Sequence, residues 1–549
     1  MPIFHKTDVV VVGGGPAGFA AAIAAARTGA KVALVERYGS LGGLFTNGMV
    51  LIMLCTSQKL AGGTWRLVTR GLTEEFADRA IALGDYVCRP RPAKLERTHW
   101  QPTVDPEGAK YLMDTMVAEE KIDMFFHCWG VDVVQQGNRV LGVVFESKQG
   151  KQAILAKQVV DCTGDGDVLF AAGGNYRQIT HGIGHVVRLA NMDRVTAKAP
   201  PRGIDGKVKA PVLNKWPTRS NEANPSTWWG NFGTGPKGNG LDVRDLTAAE
   251  IDFRRKWWEH VAAMRQEPGW EQVFIANTCS QIGPRASRLI DAELVVDRAL
   301  LRGDYRPADS IGMFGQDGAH AAIQVPYRAL LPKGVENVLC AGRMLGAPDT
   351  IDTFRLICPC FVTGQAAGTA AAMAALKGCT PRELDVKALQ TKLTQPKVVP
   401  ARRPSSVSCW SWSCWPPVRP AGGSVGRSNR RTEPCARRRP PPKSSGRGLR
   451  RRTDSARRRS PRSSPRRRRR RVRTTRRRMR SPAFRPRRVA CGTTWCARRP
   501  RGTRCAAAPR LMSRSSRANL RRRGPLPRVR SRPSARVGVR RIRWPTSVP

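Results

Sequence analysis

The spacing of apolar and polar residues at the start of the chain predicts a strand, a helix and a second strand. Val9–Val12 form an apolar run that ends at Gly13. An alanine-rich segment follows, and a second apolar run, Val32–Val35, ends at Glu36. Short apolar runs that end at turn or charged residues indicate buried strands, and a long alanine-rich segment favours a helix. The pattern therefore predicts a βαβ unit with parallel strands.

The pattern beyond this unit alternates between helical and strand periodicity. It predicts helices over residues 72–83, 106–120, 247–265, 285–302 and 383–393. Short apolar runs, which we interpret as a β-meander leading into a buried strand, lie at residues 122–126, 131–134, 140–146 and 153–160. A later strand, Val338–Ala341, ends at a glycine and precedes a last small-residue helix. Residues 186–240 are rich in Pro, Asn, Trp and Gly, and we interpret this middle section as an insertion.

Three glycines after the first predicted strand suit the binding of a dinucleotide. Gly13 permits a sharp turn off the strand, and Gly15 lets the backbone approach a pyrophosphate without an intervening Cβ. Gly18 lets the helix lie close to the sheet, while the helix N-terminus offers N–H groups and a positive dipole end to phosphates. Glu36 can accept hydrogen bonds from ribose hydroxyls. The pattern thus favours a dinucleotide site over a plain buried βαβ unit.

The net charge of +55 is concentrated in the last part of the chain. Residues 401–549 hold 49 of the 96 Lys and Arg residues but only two of the 41 acidic residues. The first 400 residues therefore carry 47 basic and 39 acidic residues, which is ordinary globular chemistry. This length is ample for a buried core.

The Arg-rich tail shows no hydrophobic periodicity, so no packed core is expected in it. It could be a polycationic arm that binds nucleic acid or another polyanion. It could also be GC-rich coding DNA read out of frame, which yields Arg, Pro, Ala, Gly and Ser with stray Cys and Trp. The single lysine in the tail, Lys443, and the scattered Cys and Trp favour the second interpretation.

The remaining composition predicts a soluble, cytoplasmic protein. The first ten residues carry no basic apolar leader, and no stretch of about 20 continuous apolar residues occurs. Nine cysteines lie in the first 400 residues without the paired spacing of a zinc or redox site, so we expect buried free thiols and no metal.

Taken in order, the motifs of residues 7–395 resemble the FAD-dependent oxidoreductases of the glutathione-reductase-like, two-domain kind, and in particular their bacterial members, many of which have no assigned substrate. The motifs that carry the resemblance are GGGPAG (13–18), Glu36-Arg37, the Gly39–Gly43 loop, VVDCTGDGD (159–167), GPRASR (283–288), VPYRALLP (325–332), NVLCAGR (337–343) and TGQAAGTAAA (363–372).

The resemblance implies an α/β fold, with a Rossmann-type FAD-binding domain, a β-meander and an inserted α+β substrate or cap domain. We place the two parts of the FAD domain at residues 1–182 and 326–397, the insertion at 183–325 and the tail at 398–549.

The resemblance also assigns FAD as the cofactor and names residues that hold it. Gly13, Gly15, Pro16, Ala17, Gly18, Gly42 and Gly43 would face the pyrophosphate, and Glu36 and Arg37 the adenosine. Val133 would use its backbone near the adenine, Thr163 and Gly164 would close over the cofactor, and Gly342 and Arg343 would lie near the ribityl chain. Gln365, Ala366, Ala367 and Gly368 would open the last helix, with its N-terminus stabilising negative charge on a reduced flavin.

The implied chemistry is hydride transfer between flavin N5 and a small organic substrate that carries a carboxylate. Arg285 and Arg288, three residues apart, would share a helix face and could grip a carboxylate, and Arg355 is a further candidate. His320 could move a proton near neutral pH, and Arg328 completes the predicted catalytic group. Each of these residues could equally be structural.

Two other functions stay open on the sequence. The chain could be a flavin monooxygenase or a non-redox FAD enzyme, or it could bind polyanions through a genuine basic tail. No second glycine fingerprint with strand context occurs, so we expect electrons to leave to oxygen, a quinone or a protein carrier rather than to a nicotinamide.

Overall fold

The computed structural model describes residues 1–60, 63–89, 100–197, 224, 226–231, 237–315 and 322–395. The predicted tail at 398–549 and the candidate His320 lie outside these residues. Their predicted roles therefore stay predictions.

Nine α-helices occur within the described ranges. They are α1 Pro16–Thr28, α2 Leu72–Ala82, α3 Pro106–Glu119, α4 Asp167–Ala171, α5 Val243–Met264, α6 Arg298–Arg302, α7 Ile351–Phe354, α8 Ile357–Lys377 and α9 Val386–Thr394. The helices predicted at 72–83, 106–120, 247–265 and 383–393 are confirmed to within a few residues.

The same ranges hold nineteen strands. They are β1 Ile3–Val12, β2 Val32–Val35, β3 Ser57–Lys59, β4 Trp65–Leu67, β5 Asp123–Phe125, β6 Trp129–Gln136, β7 Arg139–Ser147, β8 Gly150–Asp161, β9 Tyr176–Gln178, β10 His181–Gly184, β11 Val186–Ala190, β12 Thr227–Asn231, β13 Lys237–Gly238, β14 Phe274–Thr278, β15 Gly283–Pro284, β16 Arg288–Ile290, β17 Ser310–Phe314, β18 Ile323–Pro326 and β19 Val338–Cys340.

The helix predicted over 285–302 is wrong for most of its length, because only Arg298–Arg302 is helical. Residues 288–290 instead form β16, which pairs with β9, while β15 just before them pairs with β10. Pairing with distant strands overrides the local helical pattern here.

A seven-stranded sheet forms the centre of the fold and confirms the predicted α/β class. Strands β5, β2, β1 and β8 are parallel neighbours in that order, and β19 pairs in parallel with β8. Val12 pairs with both Val35 and Asp161, and Asp161 also pairs with Cys340. The carboxyl ends of β1, β2, β8 and β19 therefore end level at one edge of the sheet, where ligands bind in open α/β sheets.

Strand β8 joins the parallel sheet to the predicted meander. Its first half pairs antiparallel with β7, which pairs with β6, and its last residues pair with β19. The meander is thus β6–β7–β8. The strand at 122–126 was wrongly assigned to it, since β5 pairs in parallel with β2.

Helices α1 and α8 pack against each other through small residues. A Cβ added at Gly364 would collide with the Ala17 carbonyl, and one at Gly368 with the Ala21 carbonyl. Glycine therefore allows the two backbones to approach closely, which explains the small-residue composition of the last helix. Gly364 and Gly368 are buried in this contact.

The middle section has an apolar core of its own, formed by β11, β12, β14 and α5. Val187, Leu189, Trp257, Met264 and Trp270 are buried together in it. The predicted domain boundaries at 182/183 and 325/326 each fall inside a strand, β10 and β18 respectively. The domain division stays a prediction.

Among the described residues, α8 is the one helix with the length and apolar composition to cross a membrane, but 89% of its most apolar window is buried inside the protein. This burial is typical of a core helix. Nine cysteines in the described ranges are free thiols, and all but Cys379 are buried, which confirms that part of the prediction.

Candidate functional site

A cleft of about 830 Å³, open to solvent, lies at the carboxyl edge of the parallel sheet. Of the predicted cofactor residues, the following line it: Gly13, Gly15, Pro16, Ala17, Glu36, Arg37, Gly43, Thr163, Gly164, Gly342 and Arg343. Residues from four separate strand ends therefore meet at one site.

The turn from β1 into α1 carries Gly13, Gly15 and Gly18, which we call the glycine cradle; Gly13 and Gly15 line the cleft, whereas Gly18 does not. Gly13 has a φ of 95°, and an added Cβ there would lie 2.5 Å from the Cys162 carbonyl oxygen. A Cβ at Gly18 would collide with the Gly13 carbonyl. A Cβ at Gly15 would meet nothing within 4 Å and would instead project into open space. Two of the glycines are therefore needed for packing, and the third keeps space free for a ligand.

The N-terminus of α1 opens at this cradle. Its N-cap is Gly15, which has no side chain to cap the helix, Pro16 occupies the first turn, and no acidic residue lies there. The positive end of the helix dipole therefore faces the cleft without a compensating carboxylate in the first turn, as a phosphate-binding helix requires. Gly42, in the following loop, donates from its N–H to the Gly14 carbonyl at 2.7 Å and braces this turn.

Glu36 closes the cleft at the end of β2 and is 5% exposed. The Gly14 N–H donates to its Oε2 at 2.6 Å, and the Tyr38 N–H donates to its Oε1 at 2.8 Å. Burial raises the pKa of the Glu36 carboxyl above its ordinary value, against the lowering effect of these two bonds. Each oxygen keeps a lone pair, so the carboxylate can still accept a hydrogen bond from a ribose hydroxyl.

Beyond Glu36, the cleft is lined by Arg37, Tyr38, Trp129 and Gly130. The Arg37 guanidinium lies 4.9 Å from the Tyr38 ring centre and 5.1 Å from the Trp129 ring centre. Val133, predicted to contact the adenine, does not line the cleft, because it lies three residues farther along β6 and pairs with β7. The structure thus places the start of β6 at the cleft rather than its middle.

The central wall of the cleft follows β8 and β19. Asp161 is fully buried and accepts hydrogen bonds from the Thr163 N–H at 3.0 Å, the Thr163 hydroxyl at 2.7 Å and the Leu169 N–H at 3.0 Å. Burial raises the pKa of Asp161. These bonds fix the turn that presents Thr163 and Gly164 to the cleft.

Arg343 is held in this wall by side chains that the sequence did not single out. Its guanidinium donates to Asp165 Oδ2 at 2.6 Å and to the Pro284 carbonyl, and Ser287 also donates to Asp165. The ion pair is largely buried, with 11% and 13% of the two side chains exposed. It ties β19 to the β8 turn and to the β15 region, so Arg343 is a positioning residue as well as part of the cleft.

Asp167 also lines the cleft, beside Arg288. The Arg288 guanidinium donates to Asp167 at 2.8 Å and lies 4.2 Å from the Phe170 ring centre. Burial, followed by repulsion from Asp165 and Asp161, raises the pKa of Asp167 to about 6. Arg288 is therefore occupied by this carboxylate, and it does not share a helix face with Arg285.

The last helix begins earlier than the sequence suggested. α8 starts at Ile357, so Gln365, Ala366, Ala367 and Gly368 lie in its middle and do not line the cleft; Gly368 packs on α1, and Gln365 accepts a hydrogen bond from the Leu72 N–H at the start of α2. Ile357 and Cys360 from its first turn line the cleft instead. Pro359 lies in the first turn of α8, where proline is tolerated because its missing N–H costs nothing. A helix N-terminus does lie at the cleft, but it begins at Ile357, eight residues before the predicted start at Gln365.

Near the start of α8, Arg355 lines the cleft, and Arg285 and Asp352 lie close to it without lining the cleft; we call these three residues the cationic end. Arg355 lines the cleft and is 23% exposed in its side chain. Its Nε and one terminal nitrogen donate to Asp352 Oδ1 at 3.1 and 3.0 Å. Burial, and then the charge of Arg355, lowers the pKa of Arg285. Within the described residues, the Arg285 guanidinium makes no side-chain hydrogen bond.

The remaining predicted catalytic residue, Arg328, is placed away from the cleft. It lies in a short 3-10 helix, Tyr327–Leu330, where it pairs with Asp309 at 3.0 Å and is 53% exposed. The motif VPYRALLP therefore has a structural role, since Tyr327 is buried and donates to the Pro381 carbonyl at 2.8 Å.

Several cleft residues escaped the sequence argument: Tyr38, Trp129, Gly130, Asp167, Gln281, Ile357 and Cys360. A signal existed for Asp167, because it ends the motif that follows β8. Trp129 and Gln281 come from segments with no glycine or charge pattern, so only the fold could place them. In the described parts of the chain, no three His, Cys, Asp or Glu side chains are grouped as metal ligands would be.

The residues present fit FAD. The cradle leaves space at Gly15, the α1 N-terminus faces that space, and Glu36 stands at the ribose end. The cleft then continues past Gly342 to the start of α8, so it is elongated in the way that a dinucleotide requires.

Comparisons with known proteins agree with this geometry. The family model described as FAD dependent oxidoreductase matches residues 8–393, more than half of the chain. Dihydrolipoyl dehydrogenase of Trypanosoma brucei brucei is 61% identical over 46 residues, 8% of this chain and 10% of that protein. Soluble pyridine nucleotide transhydrogenase of Chromohalobacter salexigens is 29% identical over 160 residues, 29% of this chain and 31% of that protein.

These matches span less than a third of the length of either curated relative. Among solved structures, a geranylgeranyl bacteriochlorophyll reductase-like protein from Thermoplasma acidophilum is 13% identical, with a TM-score of 0.33, over 71% of this chain and 82% of that one. The extent of the family match decides the assignment: the chain belongs to the FAD-dependent oxidoreductase family, and its cofactor is FAD.

Proposed function

We propose that the chain exchanges a hydride between FAD and a small organic substrate that carries a carboxylate. The observation that carries the proposal is the cationic end of the cleft. Arg355 lines the same cleft as the glycine cradle, and the charge of Arg285 lies close enough to be perturbed by it. An oxidoreductase also needs an electron acceptor, for which we keep oxygen, a quinone or a protein carrier as candidates.

The bound FAD supplies the hydride acceptor or donor at its flavin ring. In this proposal, the cradle and the α1 N-terminus hold its pyrophosphate, and Glu36 holds its ribose. The start of α8 directs its positive dipole end toward the opposite end of the cleft, where negative charge is stabilised. The two ends of the cleft thereby fix which end of the cofactor faces the substrate.

The substrate is held by Arg285 and Arg355. A guanidinium binds a carboxylate through two parallel N–H donors, which fixes orientation as well as position. Only one carboxylate, Asp352, is paired with Arg355 here, so two cations face one anion. A substrate carboxylate would restore the balance of charge. His320 remains our candidate for moving the proton that accompanies the hydride.

The test uses the full chain loaded with FAD, mixed anaerobically with small organic acids and with their uncharged methyl esters. Loss of flavin absorbance reports reduction. We expect at least one acid to reduce the flavin while its ester does not. For that acid, Arg285→Ala should lower kcat/KM about 10- to 100-fold, since hydrogen bonds to charged groups contribute about 1.5–3 kcal/mol.

Arg328→Ala is the matched control. It removes the same charged group from an exposed pair outside the cleft, and kcat/KM should stay within about twofold of the wild type. Esters that react as fast as the acids, or an Arg285→Ala variant with unchanged kcat/KM, would overturn the carboxylate assignment.

A further inference from the structure

Asp352 makes an unusual bond within the cationic end. Both guanidinium nitrogens of Arg355 that contact it donate to the same oxygen, Oδ1, at 3.1 and 3.0 Å. That oxygen also lies 3.7 Å from His181 Nε2 on β10. Among the described residues, Oδ2 accepts no hydrogen bond. Arg355 is therefore held through a single carboxylate oxygen rather than by the parallel two-oxygen geometry that makes Arg–carboxylate pairs strong.

The position of Asp352 makes this bond easy to break. Its side chain is 67% exposed, and it lies in the four-residue helix α7, three residues before Arg355. Exposed pairs at this spacing contribute little to stability. The Arg355 side chain, by contrast, is mostly covered and faces the cleft. The Arg355 guanidinium is therefore fixed, whereas the Asp352 carboxylate that pairs with it can rotate into solvent.

We propose that Asp352 is a resident counter-ion that an incoming substrate carboxylate displaces from Arg355. The inference rests on the proposed function and extends it, because it makes Asp352 a residue that sets substrate affinity. In the free protein, Asp352 neutralises part of the charge of Arg285 and Arg355. On binding, a carboxylate with two free oxygens takes both donors of Arg355, and Asp352 turns toward solvent. This competition lowers the affinity for neutral ligands, because they cannot replace the lost ion pair. It also lowers the affinity for anions that bind Arg355 only weakly.

The test measures the binding of a simple carboxylate without any turnover. Acetate is titrated into the FAD-loaded full chain at constant ionic strength, and its dissociation constant is obtained by NMR. Asp352→Asn removes the competing charge while keeping the shape of the side chain. We expect this variant to bind acetate roughly two- to fivefold more tightly than the wild type, as fits the small energy of an exposed pair.

Asp349→Asn is the matched control, because Asp349 lies three residues earlier and pairs with Arg298 at 2.8 Å. It should leave the dissociation constant of acetate unchanged. Combining Asp352→Asn with Arg355→Ala should abolish the gain, since the displaced partner is then absent.

Unchanged or weaker acetate binding in Asp352→Asn would overturn the proposal, the weaker result showing that Asp352 positions Arg355. Acetate binding to neither protein would overturn it as well. The failure of the proposed function has a different signature. The acids would then bind with the expected response to Asp352→Asn, yet none would reduce the flavin.

Discussion

The two ends of the cleft are built from different materials. The glycine cradle is made by the main chain: Gly13 and Gly18 allow close packing, and Gly15 faces empty space. The cationic end is made by charged side chains, with Arg285 and Arg355 near a single exposed carboxylate. The glycine cradle needs no ligand to be stable in the folded protein, whereas the cationic end keeps two positive charges close together.

This difference indicates that the two ends of the cleft have separate roles in ligand recognition. A main-chain site recognises what all dinucleotides share, a pyrophosphate, and needs little from side chains. A side-chain site can select a particular substrate, but it carries an electrostatic cost until that substrate arrives. A substitution that disturbs packing in the glycine cradle and one that removes a charge from the cationic end should therefore have opposite effects on the free energy of unfolding. Denaturant unfolding can test that expectation.

The largest effect is expected for Gly15→Val. Gly15 has a φ of −65°, which any residue adopts, and an added Cβ meets nothing within 4 Å. The valine should therefore leave the fold intact and occupy the space of the pyrophosphate. We expect FAD affinity to fall by about 10- to 100-fold, or roughly 1.4–2.8 kcal/mol. Fluorescence titration of the apoprotein with FAD measures this change.

Gly18→Ala provides the contrasting variant within the same cradle. Its Cβ would collide with the Gly13 carbonyl, so the free energy of unfolding should fall by about 1–3 kcal/mol or more even without FAD. Denaturant unfolding of both apoproteins separates the two roles. The comparison fails if Gly15→Val unfolds as readily as Gly18→Ala, or if it binds FAD as the wild type does.

The same contrast explains what could be predicted from the sequence. A site built by the main chain leaves glycines at fixed spacing, so the amino-acid sequence was enough to single out Gly13, Gly15 and Glu36, which line the cleft, and Gly18, which packs against Gly13. Most strands of the sheet followed from the same local pattern, because apolar runs lie within β1, β2, β7, β8 and β19, but the parallel pairing of β5 with β2 did not. The local sequence pattern was therefore sufficient to predict a structural feature wherever residues that are close in the sequence form that feature.

A site built by side chains from distant segments leaves no such spacing. Arg285 was singled out on a helical spacing that the structure does not have, since it lies between strands β15 and β16, and its catalytic role stays a prediction. Asp352 and Arg355 meet it only because β10 and β15 pair and α7 precedes α8. The helix start at Ile357 was missed because the small-residue stretch that marks the helix begins only at Thr363, whereas the helix itself begins six residues earlier.

A smaller and opposite effect is expected at the cationic end. Burial and the charge of Arg355 lower the pKa of Arg285, which means that the folded state disfavours its positive charge. Arg285→Gln removes that charge and keeps a polar side chain. We expect the free energy of unfolding to rise by about 0.5–1 kcal/mol, as is common when a functional site is relaxed. Denaturant midpoints of the FAD-loaded proteins measure it, with Arg328→Gln as the exposed control. A destabilised Arg285→Gln variant would show that the guanidinium supports the fold.

The smallest effect is expected at Asp167, which lines the cleft between its two ends. Its pKa is raised from an ordinary 3.8 to about 6 by burial and by Asp165 and Asp161. The folded protein therefore binds this proton more tightly than the unfolded chain does, so the contribution to stability is greatest below about pH 4 and is lost as the pH rises through 6. Because a third of the side chain is exposed and solvent screens the charge, we expect a change in the free energy of unfolding below about 1 kcal/mol.

Glu36 and Asp161, whose pKa values burial also raises, act in the same direction, so the informative quantity is the difference in the free energy of unfolding between the wild type and Asp167→Asn. The pair with Arg288 lowers the pKa of Asp167 in part, so its loss in the variant belongs to the same pH-dependent difference. Denaturant unfolding from pH 4.5 to 7.5 should show a shallower decline in the variant, and parallel curves would place the titrating charge elsewhere in the cleft.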